Sequence, residues 1–310
     1  MKAIIVIPCY NEAEVLPLTL VRMRNLVKQL EREQQLSAEL LLVDDGSTDN
    51  TWDLISQAAK DDSSVKGIRL SRNVGHQNAL WAGMETVCGH CDCVISIDAD
   101  LQDDETAIVE MVQHWRNGSE IVYGVRSQRD SDTWFKRTTA QMFYRLMQWM
   151  EAQTMYNHAD FRLLSARALE ALMQYDERNL FLRSMVRQLG FTSSVVYYTR
   201  QERAAGTSKY PLRRMVHFSV DGITSFSTAP LRYIAIAGLL MTLVSIAMIV
   251  FALVRYLMGA TIPGWTSMLV SLWFIGGVVT TGIGIIGIYV GRIYTEVKHR
   301  PRYFISEKTH

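Results

Sequence analysis

Two short acidic runs carry the densest chemistry in this sequence. Asp44-Asp45-Gly46-Ser47 follows one β-branched run, and Asp98-Ala99-Asp100-Leu101-Gln102-Asp103 follows another. Neighbouring carboxylates repel unless a cation compensates them. Two such runs converging on one sheet edge therefore suggest a hard divalent ion, Mg2+ or Mn2+, bound through oxygen. Such an ion keeps waters and takes substrate phosphates as its remaining ligands, so a nucleotide diphosphate is the expected substrate. The plainer reading is that an Asp pair at a strand end is a turn and a helix cap, and Asp49 or Asp103 can be explained that way alone.

Other chemistries find less support. No G-x-G-x-x-G follows the first strand and no G-x-x-x-x-G-K-[ST] occurs, which argues against a dinucleotide fold or a P-loop ATPase. Cys88-Gly89-His90-Cys91-Asp92-Cys93 has half the spacing of a zinc site, but no second Cys/His pair completes it. These thiols read as reduced helix-end and strand residues. Nothing marks a nucleic-acid partner.

The acidic runs need elements to position them. Up to about residue 125, β-branched runs near 3–7, 39–44, 65–70, 93–97 and 120–125 alternate with helix-period stretches near 12–34, 49–60, 76–88 and 104–116. That alternation predicts an α/β fold with a parallel sheet, and the doubly apolar runs suit strands covered on both faces. In open sheets of this kind, ligands bind beyond the carboxyl ends of the strands, where both acidic runs lie. Asn11 followed by Glu14 reads as the cap of the first helix, with Pro17 tolerated in its first turns. Residues 134–230 are less regular, with a basic amphipathic stretch over 134–149, a strand-like Asp160-Phe161-Arg162-Leu163-Leu164, and a β-rich run over 195–199.

The near-neutral charge of +1 conceals a division. Residues 1–120 hold 10 basic against 20 acidic side chains, and residues 121–310 hold 22 against 11, so the two parts meet different partners. The 48% hydrophobic content excludes an intrinsically disordered chain. The apolar residues 3–7 end at Pro8, short of a secretory signal.

Residues 233–254 and 267–290 carry no charge, and each is long enough to cross about 30 Å of hydrocarbon. The dozen residues between them make the pair a transmembrane hairpin. Arg213, Arg214 and Arg232 precede it, and Arg292, Lys298, Arg300 and Arg302 follow it, against Arg255 between the spans. By the positive-inside rule the large domain and both termini are expected to be cytoplasmic. The expected organisation is a catalytic domain over 1–211, an amphipathic interfacial segment over 212–230, the hairpin over 231–292 and a tail over 293–310. The interfacial pattern fits equally a helix packed on the soluble domain.

Taken in order, Pro8-Cys9-Tyr10-Asn11-Glu12, Val43-Asp44-Asp45-Gly46-Ser47, Arg72-Asn73-Val74-Gly75-His76-Gln77 and Asp98-Ala99-Asp100-Leu101-Gln102-Asp103 resemble the family-two inverting glycosyltransferases of the Rossmann-like GT-A fold. Asp160-Phe161-Arg162-Leu163, Glu177-Arg178-Asn179-Leu180-Phe181, the 203–210 segment, Ile223-Thr224-Ser225-Phe226-Ser227 and Gly291-Arg292-Ile293-Tyr294 narrow the likeness. They resemble the polyprenyl-phosphate glycosyltransferases, including bactoprenol glucosyltransferases and relatives that load N-acetylglucosamine.

This resemblance implies a bacterial cytoplasmic-membrane enzyme that moves a hexose, glucose before N-acetylglucosamine, from a UDP-sugar to undecaprenyl phosphate. Pro8, Tyr10, Asn11, Glu12 and Asp45 match the nucleotide pocket, with Ala99 beside it, and Gly75 and Gln77 a loop closing over the nucleotide. Asp98 and Asp100 match the metal pair, with Gln102 as a further oxygen ligand. Many relatives have Lys where His76 stands, so that position receives no role. Arg126, Arg129, Arg203, Lys209 and the hydroxyl of Ser208 are candidates for the lipid phosphate, each also readable as a solvated charge, a headgroup contact or a turn. Asp160 matches the catalytic base. An acceptor phosphate with a second pKa near ~6 is already nucleophilic at neutral pH, so Asp160 is equally readable as an orienting group.

The relatives also suggest a tetramer, and the glycines at 276, 277, 282, 284, 287 and 291 permit close helix packing. Two rivals are weighed against this reading. A processive polysaccharide synthase typically adds a Q-x-x-R-W segment and more spans, which this sequence lacks, and a nonenzymatic nucleotide-sugar-binding membrane protein would have no need of Asp98, Asp100 and Asp160 together.

Overall fold

A computed structural model describes residues 1–127, 158–178, 180–199, 229–258 and 264–309. Two compact units are described separately: one holds the sheet, including residues 299–309, and the other holds the C-terminal helix pair.

The sheet unit begins with β1 (Lys2–Cys9), α1 (Leu16–Gln34), β2 (Ser37–Asp44), α2 (Thr51–Asp61), β3 (Val65–Leu70), α3 (His76–Val87), β4 (Cys93–Ser96), α4 (Ala107–Arg116) and β5 (Ile121–Arg126). These elements match the sequence reading to within a few residues. Then come β6 (His158–Ser165), α5 (Ala166–Met173), α6 (Leu182–Gln188) and β7 (Ser193–Tyr198). The strand order is β7-β5-β6-β4-β1-β2-β3, with one more strand, β8 (Ile305–Lys308), beyond β3. Ile5, Val6 and Ile7 of β1 and Leu40, Leu42 and Val43 of β2 are fully buried, as strands covered on both faces require.

The first four strands pair in parallel as expected, while the sheet as a whole is mixed. β6 runs antiparallel between β4 and β5, with Ser96 opposite Arg162 and Cys93 opposite Ser165. Because it enters from the opposite end, its first residues lie where β4 stops. Continued by two residues, this register sets Asp98 opposite Asp160. A strand that starts at the binding edge thus delivers its carboxylate there as well as one that ends there.

The expected cap of α1 is also replaced. Asn11 (φ 53°) accepts from the Thr48 backbone N–H at 2.9 Å, and its own N–H donates to Ser47 Oγ at 3.0 Å. Its side chain joins two loops, and α1 starts at Leu16 without a side-chain cap. Asp49 behaves as read: Oδ1 accepts from the Thr51 N–H at 3.0 Å and from its hydroxyl, while Oδ2 accepts from the Ala13 N–H at 3.1 Å. Asp103 caps nothing and is buried. Gly83 lets α3 lie against the sheet, since a Cβ there would sit 2.4 Å from Val6 Cγ1.

Residues 299–309 do not form a free tail. β8 pairs antiparallel with β3, the Ser71 N–H donates to the Phe304 carbonyl at 2.9 Å, and Trp52 Nε1 donates to Glu307 at 3.0 Å. The Arg302 guanidinium stacks on Trp81 of α3 at 4.4 Å and donates to the Tyr175 and Glu177 carbonyls at 2.9 and 2.8 Å. The last residues therefore complete the sheet and brace both α3 and the approach to α6. Arg302, counted above among the membrane-flanking charges, is engaged in this brace.

Among the described residues, the second unit holds α7 (Ala229–Leu257) and α8 (Trp265–Val297). At about 1.5 Å per residue, each outreaches the roughly 30 Å of a bilayer core. Large apolar side chains such as Leu239, Leu240, Leu243 and Val244 are exposed on α7, and residues 233–254 place no charge on any side of it. Such a helix suits hydrocarbon as solvent. Ile234 Cγ2 lies 3.4 Å from where a Cβ on Gly282 would stand, so the glycine admits close packing of the two helices. Of the interfacial segment expected over 212–230, residues 212–228 lie outside the described residues, and the last two open α7.

Candidate active site

The site is built from loops at one edge of the sheet, and β4 divides it. On one flank, beyond β1, β2 and β3, Asp44 and Asp45 turn into Gly46 (φ 66°), where a Cβ would stand 2.5 Å from the Arg72 carbonyl carbon. Only glycine allows that approach. Asp45, 2% exposed, accepts from the Val74 N–H at 2.8 Å through Oδ1 and from the Gly75 N–H at 3.0 Å through Oδ2. Burial raises its pKa against the pull of those two N–H groups. Asp44 accepts from the Ser47 N–H at 3.1 Å and pairs with Arg69 at 3.3 Å. Protein donors thus hold the first acidic run, which organises the loop rather than presenting open carboxylates. Pro8 lies opposite Val43, Tyr10 is exposed, and the Glu12 N–H donates to Thr51 Oγ1 at 3.0 Å.

The second acidic run follows β4. Ala99 is buried, its carbonyl accepting from Thr19 Oγ1 at 2.8 Å, and Leu101 is buried in a left-handed conformation (φ 55°). Such a backbone costs a leucine about 1–2 kcal/mol, which its burial offsets. These two anchors set Asp98 and Asp100 on either side of Ala99, with Asp100 Oδ1 accepting from the Gln102 N–H at 3.2 Å. Desolvation in the cleft, together with Asp103, Asp160 and Asp100, lifts the carboxyl of Asp98, whose side chain is 37% exposed, to about 6 against the pull of His76. Among the described residues no three His, Cys, Asp or Glu side chains form a metal cage. A pair of carboxylates amid excess negative charge, with the remaining ligands drawn from a diphosphate, fits Mg2+ or Mn2+.

The other flank is built on β6. Asp160, 7% exposed, accepts from Arg162 Nη2 and Arg183 Nε (3.3 Å) through Oδ1, and from Arg183 Nη2 (3.2 Å) and Gln77 Nε2 (3.1 Å) through Oδ2. His76 Nε2 stands 3.5 Å from Asp160 and 3.6 Å from Asp98, bridging the two carboxylates. Burial opposes ionisation of Asp160, yet Arg183, His76 and Arg162 together hold its carboxyl well below the usual range. Against desolvation in the cleft, the same carboxylates raise the imidazole of His76, whose side chain is 42% exposed, to about 9.

Gln77 lies in the first turn of α3. Its amide spans Asp160 and the start of α6, where its Oε1 accepts from the Leu182 N–H at 3.1 Å, so both ends are spent on protein. Gly75 (φ 90°) opens α3 just before it. Arg126 is held by Asp103 at 3.1 Å and Tyr198 Oη at 3.2 Å, and Tyr198 itself donates to Asp103 at 2.6 Å. Arg129, Arg203, Ser208 and Lys209 lie outside the described residues.

Three residues of the site had no role in the sequence reading. Arg162 was legible, since a residue two along a strand from Asp160 shares its face. His76 lay between two candidates and was set aside. Arg183 reaches the site from α6, and no spacing announces it.

Residues 4–173, more than half of the chain, match the model described as "Glycosyl transferase family 2". This chain belongs to glycosyl transferase family 2. The transferase is 48% identical over 304 residues to the uncharacterized glycosyltransferase YkoT of Bacillus subtilis, covering 97% of this chain and 90% of the relative. It is 37% identical over 310 residues to the bactoprenol glucosyl transferase of Shigella phage SfX, covering 99% and 100%. Among solved structures, glucosyl-3-phosphoglycerate synthase from Mycobacterium tuberculosis in complex with phosphoglyceric acid matches at 16% identity and TM-score 0.47, covering 73% of this chain and 78% of that one.

Proposed function

We propose that this transferase moves glucose, with inversion, from UDP-glucose to undecaprenyl phosphate, releasing UDP. The observation that carries the reading is the meeting of Asp98 and Asp160 across His76 at one sheet edge, in a chain 37% identical along its whole length to a bactoprenol glucosyl transferase.

In this reading Pro8, Tyr10, Asn11, Glu12 and the loop fixed by Asp45 receive the nucleotide, and Asp98 and Asp100, with Gln102, would hold a divalent cation, which would supply positive charge against the diphosphate. Acceptor phosphate oxygen attacks the anomeric carbon as the bond to the diphosphate breaks and UDP leaves with the electron pair. A dianionic phosphate has no proton to lose. A general base works best with a pKa near the operating pH, and Asp160 is held far below it, so Asp160 orients cationic groups around the reacting atoms instead. In the same reading Arg126, Arg129, Arg203, Ser208 and Lys209 bind the lipid phosphate.

The α7–α8 pair crosses the bacterial cytoplasmic membrane twice, with the sheet unit and both termini cytoplasmic, and several copies assemble through the glycine-bearing helices. Arg213, Arg214, Arg232, Arg292, Lys298 and Arg300 support that orientation.

Membranes containing the protein, given undecaprenyl phosphate and a panel of UDP-sugars, are examined by mass spectrometry of the lipid products. A hexosyl phospholipid formed from UDP-glucose, lost on chelation and restored by Mg2+ or Mn2+, is expected. N-acetylhexosamine on the lipid would transfer the reading to that sugar, and no sugar on the lipid with any donor would overturn it.

A further inference from the structure

Asp160 is met by two guanidiniums, and they are not equivalent. Arg162 is fully buried: Nη2 donates to Asp160 and Nη1 to the Leu182 carbonyl at 3.1 Å, so no substrate can reach it. Its charge alone suffices to neutralise one carboxylate. Arg183 adds a second positive charge, and its side chain is 38% exposed. Among the described residues it hydrogen-bonds through Nε and Nη2 only, both to Asp160, which leaves Nη1 directed elsewhere. A guanidinium locked along one edge and open along the other is preorganised to receive an oxyanion.

Its place in the sheet identifies the anion. The loops of Asn11, Asp45 and Gly75 lie on the β1–β2–β3 side of β4, whereas Arg183 is carried by α6 and held by β6 on the opposite side. Arg126 stands on that side too, on β5, close enough for its charge to act on Arg183.

We propose that Arg183 binds the phosphate oxygens of the acceptor, and that Asp160, pinned from behind by Arg162, is the positioning residue that sets the angle of its guanidinium. This inference rests on the function proposed above. Arg183 replaces the proton-abstracting role of Asp160 with an electrostatic one: it holds the attacking dianion beside the anomeric carbon and shields it from the donor diphosphate. Arg183→Lys keeps the charge but loses the planar fork that grips carboxylate and phosphate together.

The test uses the full chain in detergent with Mn2+, wild type beside Arg183→Ala and Arg183→Lys. It measures UDP affinity, the affinity of the UDP-loaded enzyme for a short-chain polyprenyl phosphate, and KM and kcat for that acceptor. Arg183→Ala is expected to weaken acceptor binding roughly 10- to 100-fold, as loss of charge-assisted hydrogen bonds does, with Arg183→Lys between it and wild type. UDP affinity stays within about threefold of wild type in both, which also shows that the variants are folded. If Arg183→Ala does not fold, Arg183→Lys carries the same measurements. Acceptor affinity within about twofold of wild type in the folded variants overturns the proposal, and so does UDP affinity that falls as far as acceptor affinity, which would put the guanidinium on the donor diphosphate. A wild type that binds the lipid phosphate yet transfers no sugar overturns the proposed function and leaves Arg183 standing.

Discussion

Asp45 and Asp160 are both buried carboxylates at one sheet edge, on opposite flanks of β4, and they are held by opposite means. Asp45 is met by two neutral backbone N–H groups, so burial prevails and its pKa rises. Asp160 is met by two guanidiniums and an imidazole, so charge prevails and its pKa falls. The first arrangement fixes the path of a loop, and the second fixes the directions of cationic side chains. Under the proposed function, the former suits a flank that shapes a pocket for a neutral base and sugar, and the latter a flank that receives a phosphate.

The largest effect that tests this contrast comes from Asp160→Ala. It strands Arg162 in the core, and breaking a buried pair of this kind costs about 3–5 kcal/mol. Denaturant unfolding should show that loss, accompanied by loss of turnover. Removing both charges, as Asp160→Asn with Arg162→Met, should recover much of the stability while turnover stays lost. Recovery of both would show that the charges serve only each other.

Asp45→Ala strands two N–H groups without stranding a charge, so a smaller loss, about 1–3 kcal/mol, is expected, with UDP affinity reduced and acceptor affinity retained. A fall in acceptor affinity equal to that for UDP would dissolve the division between the flanks. Arg302→Ala lies outside both flanks but removes the stack on Trp81 and the bonds to the Tyr175 and Glu177 carbonyls. About 1–2 kcal/mol of stability is expected to go, with the ratio of UDP to acceptor affinity unchanged.

The smallest and most discriminating effect is in pH. The depressed pKa of Asp160 supplies stability present above the unfolded value of about 3.9 and lost as pH falls below it toward the folded pKa. Asp45 has the opposite sign: its raised pKa supplies stability fully present below about 3.9 and lost as pH rises through the folded pKa. The penalty of Asp160→Asn should therefore shrink on acidification below pH ~4, while that of Asp45→Asn should shrink as pH rises above it. Parallel curves from denaturant titrations across pH 3–6, about that value, would remove the distinction.

Much of the fold was legible because its signals are local. Apolar runs such as Leu40–Val43 and Val94–Ile97 place strands, and the acidic residues that follow them place the binding edge. Pairing between distant segments leaves no such trace. The direction of β6, and with it the meeting of Asp160 with Asp98, depends on which neighbours it joins. Residues 293–310 read as a tail because β8 within them has an exposed face, yet β3 supplies its partner from more than two hundred residues away.

By itself, then, the sequence determined the alternating α/β core, the acidic edge, the two uncharged helices and, through its motifs, the family. Those properties follow from the periodicity, composition and spacing of residues near one another in the chain. Only the tertiary structure decided which carboxylates are consumed by protein donors, that Gln77 and His76 face Asp160, and that Arg183 stands open where Arg162 is sealed. A side chain's chemistry in a site depends on what surrounds it, and those surroundings come from α3, β6 and α6 together.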